Sequence, residues 1–135
     1  MVHALSEVWR TLKAGGWLID LRSTKSDRRI ELDMPGGCLE IGEIDASATR
    51  PGRDAADAAL RSALAAGQFR AQHNALFNII VDCDSVTDLR DYAQRLCRSR
   101  LPDFVLPRIE ALTANADDCL IRIHREMTIA LYRRP

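Results

Sequence analysis

The chain has 135 residues, 47% of them hydrophobic and 28% charged, and its 19 basic and 19 acidic side chains leave a formal net charge of zero. That length makes a single domain spanning 1–135, able to bury roughly two thirds of its unfolded surface, and so ordinary a composition excludes disorder and low complexity. Zero net charge argues against nucleic acid, whose phosphates demand clustered cation, and apolar runs too short for a bilayer argue against a membrane, so a cytoplasmic protein is expected.

Val2, Leu5, Val8, Trp9 and Leu12 recur at helical spacing while Glu7, Arg10 and Lys13 take the other side, so the N-terminus reads as an amphipathic helix rather than a secretion signal. Gly15 suits the left-handed position after the last turn, with Lys13 near the negative helix end. Trp17-Leu18-Ile19 then opens a strand of the kind found inside a sheet covered on both faces.

This segment resembles the helix and fifth strand of class I methyltransferases that use S-adenosylmethionine, written Leu-x-Glu-(Val/Ile)-x-Arg-x-Leu-Lys-Pro-Gly-Gly. Leu5, Glu7, Val8, Arg10, Leu12, Lys13, Gly15 and Gly16 match, and Ala14 stands where proline is usual. The resemblance is close as far as Leu21. It implies an α/β fold: part of a Rossmann-like methyltransferase sheet, equivalent to strands 5, 6 and 7, with flanking helices and an inserted β-hairpin. It also implies that the glycine-rich cofactor turn and the ribose-holding acid would lie before Met1. No cofactor is therefore expected for the isolated chain, and S-adenosylmethionine only if an N-terminal half completes it.

After the polar loop Arg22 to Asp27, residues 29–33 and 38–44 alternate about Met34-Pro35-Gly36-Gly37. Proline followed by glycine suits a type II turn, so a β-hairpin is expected at about 28–45, lying over one end of the sheet where a complete methyltransferase has its substrate lid. A small-residue linker, Ala46 to Gly52, leads to an alanine-rich helix starting near Asp54, with Leu60 and Leu64 in register and Gly67 as its stop. Gly67-Gln68-Phe69 resembles the family's junction before its sixth strand. Phe69 to Asp82 reads as one long strand or two, apolar in its second half. Ser85 and Asp88 form a capping-box pattern before a helix whose stripe is Leu89, Tyr92, Ala93 and Leu96. Leu101-Pro102-Asp103 interrupts, and another helix carries Phe104, Val105, Ile109 and Leu112, with Pro107 in its first turn. Cys119 to Arg133 closes the chain as a long antiparallel strand, half-buried by its alternation.

Little in the sequence announces chemistry. His3, His73 and His124 are far apart with no ligand spacing, and no Gly-x-Ser-x-Gly elbow is present. Cys38, Cys83, Cys97 and Cys119 form no Cys-x-x-Cys pair and read as buried free thiols. His124, beside Arg122 and Glu126, reads as part of a cross-strand polar ladder. The arginines from Arg90 to Arg100 read as a solvated helix face. Asp20 and Arg22 share one face near the end of the first strand, where ligands collect in open α/β sheets, so they are candidate pocket residues with Ser23 and Thr24. The competing reading is an ion pair closed by Arg122, His124 or Glu126 on the neighbouring strand. Asp82 and Asp84, ending the other strand expected to be parallel, are candidates for the same pocket, with Asp84 equally placed to help cap the helix that follows.

A half sheet leaves the Trp17 to Leu21 strand without its usual neighbour, and an open edge invites pairing with another chain. A homodimer or a protein partner at that edge is expected, unless the first helix covers it. The leading functional expectation is a non-catalytic binding or assembly module. The alternatives are the substrate-side half of an active methyltransferase completed by another chain or by an upstream segment, and a small ligand-binding enzyme with its pocket near Arg22.

Overall fold

A computed structural model describes residues 2–96, 98–114 and 118–135, without the side chains of Val2 and His3. Val2 as a member of the apolar helix face, His3, and Cys97 as a buried thiol therefore lie outside the described side chains and residues. The elements run α1 (Val2–Thr11), β1 (Trp17–Ser23), β2 (Arg28–Met34), β3 (Gly37–Ile44), a 3-10 turn (Ser47–Thr49), α2 (Arg50–Ala65), β4 (Arg70–Cys83), α3 (Val86–Arg95), α4 (Val105–Thr113) and β5 (Leu120–Arg133).

Local signals set most of these boundaries. Pro35 and Gly36 form the two-residue turn between β2 and β3, Met34 facing Gly37, and Gly36 takes the positive φ of 109° that the third position of a type II turn demands. Gly67, at φ 70°, ends α2 in a Schellman arrangement: its N–H donates to the Leu64 carbonyl and that of Gln68 to the Ala63 carbonyl, both at 3.0 Å. The Ser85 hydroxyl caps α3, accepting from the Asp88 N–H at 3.1 Å and donating to the Asp88 carboxylate at 2.7 Å. The second helix starts at Arg50, within the expected linker. Pro51 falls in its first turn, where a missing N–H leaves no helical bond unmade.

The fold is mixed α/β, and the five-stranded sheet is antiparallel, in the order β1-β5-β2-β3 with β4 also paired to β5. This corrects the expected Rossmann-like sheet, which needs parallel strands joined by crossovers. The helix, glycine turn and strand of the first 23 residues are present, yet the strand enters a different sheet. The hairpin is also corrected. It is no lid but part of the sheet, with β2 against β5 from Arg29 opposite His124 to Asp33 opposite Leu120.

Contacts gather into two compact units. The first holds α1, β1, α2, the Arg70–Phe77 part of β4 and the end of β5 from Met127. Its apolar cluster joins Leu60, Ala63, Phe69, Ala130 and Tyr132, with Leu5, Val8, Leu12, Leu18 and Leu64 packed against it. β1 pairs with β5 from Trp17 opposite Arg133 to Ser23 opposite Met127, and backbone bonds from Gly15 to Arg134 (3.0 Å) and Arg134 to Gly16 (2.9 Å) extend the ladder. The Arg134 guanidinium lies 4.2 Å from the Trp9 ring centroid and donates to the Trp9 (2.7 Å) and Leu12 carbonyls. It thus sets a cation where the α1 dipole ends negative.

The second unit holds the hairpin, the remainder of β4, α3, α4 and the first half of β5. Ile30, Leu32, Ile41 and Ile44 of the hairpin meet Leu89, Val105, Ile109, Ile121 and Ile123 in its core. Helix α4 comes close to β3 because Gly42 has no side chain: a Cβ there would sit 3.2 Å from Phe104 Cζ and 3.4 Å from Val105 Cγ2. Burial along β5 differs between the units, odd residues Ile121 and Ile123 being buried in one and even residues Ala130 and Tyr132 in the other. The helices of the first unit pack on the even side, so Ile129 and Leu131 are only half-buried.

Candidate binding site

The candidate site in the first unit begins with the alternation of β1. Leu18, Asp20 and Arg22 are half-buried, while Trp17, Ile19 and Leu21 point the other way. Arg22 donates from one terminal nitrogen to Asp20 Oδ2 at 3.0 Å and from the other to Asp57 Oδ1 at 2.8 Å. Its buried Nε has no hydrogen-bond partner. Asp57 comes from α2 and was not among the sequence candidates. The signal was available: it interrupts the alanine run next to buried Ala56 and three residues before buried Leu60, so its carboxylate had to leave the packed stripe toward a cation.

Asp20 and Arg22 also border a cavity of about 120 Å³, lined by Leu5, Leu18, Ile19, Ala56 and Leu60. Ligand pockets usually begin at roughly 300 Å³. The arginine is shared between two carboxylates, so its own charge is already engaged. Tyr132, opposite Leu18, has its phenol pushed above its ordinary value by burial and then by Asp20, with Arg22 pulling the other way. Ser23 ends the strand opposite Met127, and the Thr24 carbonyl accepts from the Arg53 guanidinium of α2. Asp20 and Arg22 are thus ion-paired within β1 and to α2, and not through the neighbouring-strand residues Arg122, His124 or Glu126 that were expected to close the pair; Ala130 and Thr128 stand opposite them on β5.

Asp82 and Asp84 belong to the second unit. Asp82 lies 3.5 Å from Arg122, which also reaches Asp33 at 2.9 Å. Asp84 borders a cavity of about 300 Å³ with Ser85, Thr113 and Cys119. On the same strands His124 Nε2 sits 2.7 Å from Glu31 Oε2, and Arg29 reaches Glu31 at 3.1 Å. His124 is therefore a rung of a polar ladder across β2 and β5, as its position on an alternating strand implied. Cys38 is exposed and donates to Asp33 at 3.2 Å, a bond that, ahead of desolvation and the Asp33 charge, raises its thiol pKa. Cys83 is buried, with its thiol raised chiefly by desolvation. Among the described residues no three His, Cys, Asp or Glu side chains gather as metal ligands.

The first unit also leaves an apolar surface open. Trp17, Ile19 and Leu21 are 51%, 60% and 57% exposed, correcting the expectation of a strand covered on both faces. They stand opposite Arg133, Leu131 and Ile129, and the Arg133 guanidinium lies 5.9 Å from the Trp17 ring centroid. Among the described residues β1 has β5 as its one strand neighbour, so its other edge is open. Comparison with protein-family models, curated proteins and solved structures finds no match to the chain.

Proposed function

We propose that the chain is a binding and assembly module, without chemistry of its own, that takes a protein partner at the open edge and exposed face of β1. The observation that carries this reading is the row Trp17, Ile19 and Leu21, each more than half exposed on a strand whose other face is packed under helices. At roughly 200 Å² for a fully exposed large side chain, the three present about 300 Å² of apolar surface, the scale of the largest apolar patch on a typical soluble monomer, which is often a functional one. The Asp20–Arg22–Asp57 trio supports the reading from beneath. It joins β1 to α2 through charge and holds the strand in place while the opposite face stays free.

The test is a photoreactive amino acid introduced at Ile19, compared in the producing cell with the same group at Arg61, an exposed residue of α2. Crosslinking to a polypeptide from position 19 and not from 61 is the expected result, whether the captured chain is a second copy or another protein. Equal yields at the two positions, or none at 19, would sink the reading.

A further inference from the structure

The open edge of β4 is longer than that of β1 and carries its own pattern. β4 is one uninterrupted strand of 14 residues, Arg70–Cys83, with β5 as its one strand neighbour among the described residues. Eleven of the 14 are exposed, although the sequence is apolar through its centre. Leu76, Phe77, Ile79 and Ile80 are 38–66% exposed, and because neighbours along a strand point to opposite sides, both faces are apolar. The strand contains neither lysine nor proline, the residues by which natural edges discourage pairing. Its charged residues stand near the ends: Arg70 at the start and Asp82 one residue from the finish.

We propose that β4 pairs antiparallel with β4 of a second copy, in the register that sets Leu76 opposite Leu76. Directly opposed residues in an antiparallel pair share a face, so a two-fold axis can pass only through a residue opposed to itself. With Leu76 on the axis the pairing takes in every residue from Arg70 to Asp82 and places Arg70 of each copy opposite Asp82 of the other. Phe77 falls opposite Ala75 and Asn74 opposite Asn78, matching large with small and amide with amide. The next register on one side sets Asp82 against Gln68 and Arg70 against Ile80, and the next on the other sets Asp82 against Gln72 and leaves Arg70 facing only Asp84, beyond the last residue of the strand.

The scale is that of a real interface. The paired backbones supply about a dozen hydrogen bonds, against about ten in a standard interface, and cross-strand contacts of Leu76, Phe77, Ile79 and Ile80 along both faces add to them. Net charge of zero leaves no overall repulsion between copies. The proposal uses a different strand from the β1 reading, so its failure would leave that reading standing.

Sedimentation at micromolar concentration tests it first: the 15.1 kDa chain is expected as a dimer. Arg70→Asp alone and Asp82→Arg alone each oppose like charges at both ends, and each is expected to weaken the dimer about tenfold. Mixing the two variants restores complementary charges in a hybrid and is expected to recover the affinity. Leu76→Cys, in a Cys38→Ser background, is expected to form an intermolecular disulfide, since residues opposed on the axis lie within about 4.5–5.5 Å between Cα atoms. Asn74→Cys, displaced along the strand from its own copy, is not. Circular dichroism of these exposed-site variants separates lost pairing from lost fold. A monomer at every concentration, a dimer that ignores both charge reversals, or a dimer in which Leu76→Cys fails to crosslink overturns the proposal.

Discussion

Gly16 is where a single methyl group should do the most damage for its size. A Cβ at that position would lie 2.8 Å from the Lys13 carbonyl oxygen and 3.2 Å from Leu12 Cδ2, closer than carbon can approach a backbone oxygen without moving it. The same carbonyl accepts the Gly16 N–H at 2.9 Å, and the Gly16 carbonyl accepts from Arg134 at 2.9 Å, so the turn cannot open without disturbing the start of β1. Losing one hydrogen bond costs about 1 kcal/mol and displacing packed neighbours about 2 more, so Gly16→Ala should destabilise by about 3 kcal/mol. Gly15 supplies the internal control. It holds φ +77°, but a Cβ there meets only the Arg133 side chain, at 3.4 Å, so Gly15→Ala should cost about 1–2 kcal/mol in backbone strain alone. Trp9 and Trp17 flank the turn, and urea unfolding followed by their fluorescence at one fixed protein concentration reads both variants. With a slope of about 2 kcal/mol per molar, the Gly16→Ala midpoint should fall by about 1.5 M and the Gly15→Ala midpoint by less than 1 M. A Gly16→Ala protein within about 0.5 kcal/mol of wild type, or more stable than Gly15→Ala, would refute the steric reasoning.

Two further predictions concern titration. Alkylation of Cys38 by iodoacetamide, followed by mass spectrometry, should rise with pH later than for an ordinary exposed thiol, because its bond to Asp33 favours the protonated form. Asp33→Asn should move that profile to lower pH. Tyr132 is raised in the folded state, so the unfolded chain ionises first; its contribution to stability is intact below about pH 10 and is lost as pH climbs from there through the folded value. In a Tyr92→Phe background, Arg22→Gln should move the Tyr132 absorbance midpoint further up, by removing the one neighbour that favours the phenolate; an unchanged or lower midpoint would count against the geometry.

The parts of this fold legible in the sequence are those whose cause lies within a few residues. Pro35-Gly36 makes its turn through the positive φ of Gly36, Gly67 stops its helix through backbone bonds to Leu64 and Ala63, and Ser85 caps the next one with its hydroxyl, each a matter of residues within a few positions of one another. The partners of the strands are not written that way. Trp17-Leu18-Ile19 is compatible with a parallel or an antiparallel neighbour, and only the ladder from Trp17 opposite Arg133 to Ser23 opposite Met127 decides between them. The site was half legible for the same reason. Asp20 and Arg22 lie two apart on one strand face and so were readable together, whereas Asp57 reaches them across 35 residues of chain and Arg134 reaches Trp9 across 125.

The apolar second half of β4 is a different kind of discrepancy. Leu76, Phe77, Ile79 and Ile80 carry the composition of a strand removed from water on both faces, and that composition is a thermodynamic statement about where the segment is most stable. In the chain by itself those side chains are exposed, and none of the four joins either apolar cluster of the described residues. The proposed pairing would give this segment a strand neighbour on the edge away from β5. The symmetry of its end charges about Leu76 is what makes a second β4 the surface that fits.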